Sequence, residues 1–290
     1  MAGDFILTRG DSFARISQRG AELRQWRCDG QELLWPGDPA IWPQTSPILF
    51  PLVGWARKGR ISVDGVDYPI HVHGFAASQD FEPIAQCDRH VHLRLTQSPQ
   101  TLQHYPFAFV LDVHYRLQES GLSVTLQVAN GSDRIMPYAC GLHPGFCWPL
   151  AGGARGEHWV EFGADEPPFV PKIAEGGLFS PHMRPIALMG RELRLNPGLL
   201  DQEALCFLNA KSQWLRLHNG QGQGIEISTG DFPHWALWSL PEAPFVCIES
   251  WTGHGDRVDF SGDLMQKPSM IHLRPGESRQ HEAIYRFFTA

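Results

Sequence analysis

The feature that most restricts how this chain can fold is a stretch of period-two hydrophobicity between Asp88 and Asn130. Val91, Leu93 and Leu95 alternate with His90, His92, Arg94 and Thr96. Leu111, Val113, Tyr115 and Leu117 alternate with Asp112, His114 and Arg116, and Leu122, Val124, Leu126 and Val128 with Ser123, Thr125 and Gln127. Side chains two positions apart share a face in an extended strand, so the pattern predicts three successive strands with one buried face. Such a meander must pack against another sheet or close on itself. His90, His92 and His114 fall on its polar side and read as solvated surface residues.

The rest of the chain agrees with an all-β reading. Charged residues make up only 19%, against 29 Gly, 23 Pro and 10 Trp, a mixture suited to short strands joined by turns. Hairpin turns are expected at Arg19-Gly20, Asp29-Gly30, Asp64-Gly65 and Asn219-Gly220. Prolines in Ser46-Pro47-Ile48-Leu49-Phe50-Pro51-Leu52-Val53-Gly54 exclude a regular helix and predict a short buried wall. Further strands are expected at Leu205 to Leu208, Trp214 to Leu217, Gly224 to Ser228 and Trp235 to Trp238, with a last one holding Ala283, Tyr285 and Phe287 on one face. Ala151 to Leu188, rich in Gly and Pro, reads as long loops over one end of a sheet. No composition break, charged linker or repeat divides the chain, so residues 1–290 read as one antiparallel all-β domain, a size such folds reach.

A net charge of −7, from 24 Lys and Arg against 31 Asp and Glu, leaves no basic stripe for phosphates and argues against a nucleic-acid partner. The first residues are too briefly apolar for a signal peptide and no later run reaches a membrane-spanning length. A cytoplasmic protein with no membrane partner is the expectation. Six cysteines without a CxxC pair read as buried free thiols.

Three polar groups sit in segments otherwise built for burial: His71-x-His73, His143 before Pro144, and Glu249 within Phe245-Val246-Cys247-Ile248-Glu249-Ser250-Trp251. On a strand, Glu249 shares a face with Phe245, Cys247 and Trp251, either as a solvated strand-end acid or as a general acid or base in an aromatic-walled site. Two imidazoles at H-x-H spacing would share a face as some metal sites require. Ala77 and Ser78, however, occupy the region where a third ligand would stand, so no metal is expected. No serine lies in a G-x-S-x-G elbow. Proton transfer by Glu and His without a cofactor remains, and aromatic walls point to a sugar, which offers an apolar C–H face and a rim of hydroxyls.

Leu34-Trp35-x-Gly37-Asp38-Pro39-x-x-Trp42, Ser46 to Pro51, His73-Gly74-Phe75, Tyr105-Pro106-Phe107, Gly141-x-His143-Pro144-x-Phe146, Asp231-Phe232-Pro233 and Cys247-Ile248-Glu249-x-Trp251-Thr252-Gly253 occur in this order almost from end to end. Together they resemble the aldose 1-epimerases, or galactose mutarotase-like proteins, and within them the LacX-like branch. The resemblance implies a large antiparallel β-sandwich of the supersandwich type with a sugar cleft on a concave sheet face. It implies a cofactor-free isomerase acting on a free hexose or related aldose, as a monomer or a homodimer. Glu249 matches the base that removes the C1 hydroxyl proton, His143 the acid that protonates the ring oxygen, and His73 a second histidine holding the sugar. Those duties require Glu249 ionised and His143 protonated at the start. Sugar contacts would come from Arg57 or Arg60, from Asp201 or Glu203, and from Phe232 and Trp251. Trp55 stands where many relatives carry arginine, and Ala77 and Ser78 where they carry Arg-Asp after His-Gly-Phe-Ala. These departures support a rival reading, a carbohydrate-binding or metabolite-sensing protein that keeps the cleft without catalysis. A glycosidase would need a second carboxylate placed opposite Glu249.

Overall fold

The computed structural model describes residues 3–150 and 153–289. About half of the chain is strand, and among the described residues no helix reaches seven residues. His90–Thr96, Phe109–Leu117 and Gly121–Asn130 form the expected antiparallel meander, with pairs such as Val113 opposite Leu93 and Leu126. The meander belongs to a ten-stranded sheet that continues through Ser278–Phe288, Gly224–Thr229 and Trp214–His218. The expected turns are present at Asp29-Gly30 and Asp64-Gly65, where both residues take positive φ as a tight hairpin requires.

A six-stranded sheet packs on the first. Its main order is Leu205–Phe207, His234–Trp238, Phe245–Trp251, Gly141–Leu142 and Ile48–Leu49, and Gly145–Cys147 also pairs with Phe245–Trp251. Aromatic rings join the two layers: Phe146 meets Tyr285 at 5.8 Å and Phe162 meets Phe207 at 4.7 Å between centroids. Val246 and Ile248 enter this main core, whereas Phe245 and Cys247 pack in a separate cluster with Trp35 and Ala243. Strand alternation thus puts Phe245, Cys247 and Glu249 on the face turned away from the inter-sheet core.

The segment from Ala151 to Leu188 departs from expectation. His158–Phe162 joins the large sheet, and Phe169–Ala174 pairs with Leu178–Pro185 in a hairpin with a register shift between Pro171 and Ile173. Prolines at 171, 181 and 185 mask the strands in the sequence. They are tolerated because this ribbon has only two strands, each with one edge free of ladder bonds. The histidines of the meander are also not fully solvated. His92 Nε2 lies 2.6 Å from Asp112 Oδ1, and the His92 and His114 rings stack at 4.0 Å.

Candidate functional site

His143 and Glu249 meet because of strand register. Gly141 pairs with Trp251, Leu142 with Ser250 and Gly145 with Cys247, so the same register sets His143 opposite Glu249. Directly opposite residues project to one face, and here His143 Nε2 lies 3.2 Å from Glu249 Oε2. Trp251, two residues along on the same face, donates its indole Nε1–H to Glu249 Oε2 at 3.0 Å. On the other side Glu249 pairs with Ala236, which pairs with Cys206. The small side chains of that row leave the carboxylate standing in a concave floor.

His73 arrives from a loop rather than a strand. Its φ of +62° lies in the left-handed region, where histidine is among the better tolerated residues, so the H-x-H spacing does not place His71 and His73 on one strand face. Gly74 follows at φ +78°, and a Cβ there would stand 2.3 Å from the Phe50 carbonyl oxygen. The loop is closed by reciprocal bonds: His73 N–H donates to Gly54 O at 3.0 Å, and Gly54 N–H donates to His73 Nδ1 at 3.2 Å. Nδ1 is therefore an acceptor, and the ring hydrogen belongs on Nε2. The His73 ring meets His143 edge-on at 5.5 Å.

These groups line one cavity of about 690 Å³. Trp42 and Trp238 flank His143, with centroids 5.4 and 5.6 Å from its ring. Glu249 and His143 are only 2% and 7% exposed, which decides their electrostatics. Burial pushes the Glu249 carboxyl well above its ordinary range, against the smaller opposite effect of the Trp251 hydrogen bond. Burial, then the neighbouring His73, push His143 well below the usual histidine range. Burial lowers His73 to about 4. Burial thus works against the carboxylate and the imidazolium that the reaction would need at its start. His143 Nδ1 is buried with no hydrogen-bond partner among the described residues.

The residues expected to touch a sugar divide. Trp251 and Glu203 line the cavity; Glu203 accepts Ile173 N–H at 2.7 Å and lies 3.4 Å from Arg184. Arg57, Arg60, Asp201 and Phe232 are not among its lining residues. The chain turns away at Arg57–Gly59, so Arg57 and Arg60 border a separate depression, where Arg60 pairs with Asp67 at 3.2 Å. Asp201 is exposed, and Phe232 is buried against the His281 ring. Trp238 and Cys206, absent from the expected set, face the cavity because of cross-strand register, and nothing in their local sequence marks this. Among the described residues no group of three or more His, Cys, Asp or Glu is arranged to hold a metal ion.

A concave sheet face carrying a buried imidazole and carboxyl among indoles has the groups that acid-base chemistry requires. The family description Aldose 1-epimerase matches residues 5–286, and the chain belongs to that family. Protein LacX of Lactococcus lactis is 30% identical over 258 residues, covering 85% of this chain and 86% of its own. A galactose mutarotase-like protein from Lactobacillus casei superposes with a TM-score of 0.92 at 28% identity, covering 98% of this chain and all of its own. A galactose mutarotase-related enzyme from Lactobacillus acidophilus gives 0.91 at 27% identity, over 98% of this chain and 97% of its own.

Proposed function

We propose that this protein is an aldose 1-epimerase that interconverts the α and β anomers of an uncharged aldose. The observation that carries the reading is the approach of His143 Nε2 to within 3.2 Å of Glu249 Oε2 in the cavity that His73 also lines. Anomerisation needs a base and an acid on two oxygens bonded to one carbon, with duties exchanged in reverse. With the proton on His143 the pair is carboxylate and imidazolium, and sugar hydroxyls that hydrogen-bond to the charged forms favour that state. Glu249 then takes the proton of the C1 hydroxyl while His143 gives its proton to the ring oxygen. The C1–O5 bond breaks as the C1 carbonyl forms. Rotation about C1–C2 and the reverse transfers close the ring with the opposite configuration. His73, held neutral, donates from Nε2 to a sugar oxygen and orients the ring.

The cavity wall supports an uncharged substrate. Its described lining contains Glu203 and Glu249 but no lysine or arginine, so a phosphate or carboxylate on the sugar would enter without a counter-charge. The test is mutarotation of a panel of free sugars, followed by polarimetry and NMR exchange. Glu249→Gln should lower kcat/KM by at least about 10²-fold. Near-wild-type turnover by that variant would defeat the assignment, and sugar binding without acceleration of exchange by the wild type would identify a binding protein instead.

A further inference from the structure

Trp55 is 46% exposed, yet it lines the cavity that holds the Glu249–His143 pair. Its backbone is fixed from behind. Trp55 O accepts Asp256 N–H at 2.8 Å, Asp256 Oδ2 accepts Arg57 N–H at 2.7 Å, and the other carboxylate oxygen pairs with buried Lys267. The indole itself is seated on backbone: a Cβ added to Gly177, at φ +72°, would stand 1.9 Å from Trp55 Cδ1. An exposed indole clamped in this way is a preformed flat surface. Gly54, the residue before it, bonds His73, and Trp55 and His73 line the same cavity.

The space also exceeds one ring. Even allowing each heavy atom of a hexopyranose the liquid-water share of roughly 30 Å³, one ring fills only about half of the 690 Å³. The cavity lining also includes Gln44, His71, Ser78, Gln202 and Glu203, polar groups without a lysine or arginine, together with the Trp55 face. That combination suits a second sugar ring, whose C–H face lies on the indole while its hydroxyls meet the amides and the hydroxyl. We propose that Trp55 builds a second sugar subsite at the cavity mouth, and that the preferred ligand is an uncharged reducing disaccharide or longer sugar. Its reducing end lies at Glu249 and His143 and its next ring on Trp55. The proposal rests on the mutarotase reading for the orientation of the sugar, whereas the subsite itself rests on Trp55.

The test uses the full chain with D-glucose, D-galactose, maltose, cellobiose and lactose. Calorimetry gives affinity, and NMR exchange gives anomerisation. At least one disaccharide should bind about tenfold more tightly than its own reducing-end monosaccharide. Trp55→Ala should remove most of that ratio, Trp55→Phe should retain much of it, and Gly177→Ala, which pushes the indole off its seat, should lower it. A wild-type ratio near one, or a ratio unchanged in Trp55→Ala, overturns the subsite. If the wild type exchanges no sugar, the mutarotase reading fails while the calorimetric ratio still decides the subsite.

Discussion

At His92–Asp112 and at His143–Glu249 an imidazole meets a carboxyl group across neighbouring strands, at 2.6 Å and 3.2 Å. At the first, burial works to raise the Asp112 carboxyl, but the forked bonds from Arg94, at 2.7 and 2.9 Å, and the contact with His92 outweigh it, and the group is held below its ordinary range. At the second there is no arginine. Burial dominates, and Glu249 is driven up while His143 is driven down. The same two functional groups therefore meet in opposite settings, a carboxylate favoured by Arg94 on one sheet and a carboxyl raised by burial on the other. What separates them is a cation within reach and the depth of burial, since a charge without a partner is costly to hold in a desolvated site.

The strongest way to break the comparison is to remove the imidazole from the cavity. His143→Asn should reduce anomerisation by about 10²-fold or more with the fold intact, as read by polarimetry beside a circular dichroism spectrum. A loss below about threefold would leave Glu249 without its acid.

The pH profile is the next test. A His143 pKa pushed down means that the pair takes up a second proton only well below the usual histidine range, and a raised Glu249 pKa means that its last proton is lost only well above the usual carboxylate range. The one-proton state thus persists between those limits, and its apparent limits belong to the pair. kcat/KM should form a broad plateau that falls by about tenfold per pH unit beyond each limb. An acid limb at an unshifted histidine value would show that burial does not govern the pair.

The smallest effect belongs to the outer pair. Asp112→Asn should cost about 1–2 kcal/mol of stability in denaturant unfolding and leave kcat/KM within about twofold. In the wild type a depressed folded-state pKa gives stability that is fully present above the unfolded value and is lost as pH falls through the folded one. The variant should lack that acid-side loss. An equal acid-side loss in the variant would show that Asp112 is not a stabilising ion.

The meander was legible because one-sided burial imposes alternation, and Leu111, Val113, Tyr115 and Leu117 carry it without interruption. Glu249 could be assigned a face for the same reason. Proline spoiled the reading of Phe169–Ala174 and Leu178–Pro185, where pairing on one edge tolerates what a central strand would not. Arg57 was drawn toward the cavity by its proximity in sequence to Trp55, but the tight turn at Arg57–Gly59 carries it elsewhere.

The sequence by itself determined the strand periodicity, the turns at Asp29-Gly30 and Asp64-Gly65, and the family to which the motifs point, because these depend on residues close together along the chain. Only the tertiary structure decided that His143 stands across from Glu249, that His73 turns in through a left-handed residue, and that Trp55 lies open at the mouth of the same cavity. Register between distant strands and the depth of burial belong to the packed sheets. Burial, in turn, sets the direction in which the carboxyl and the imidazole are shifted.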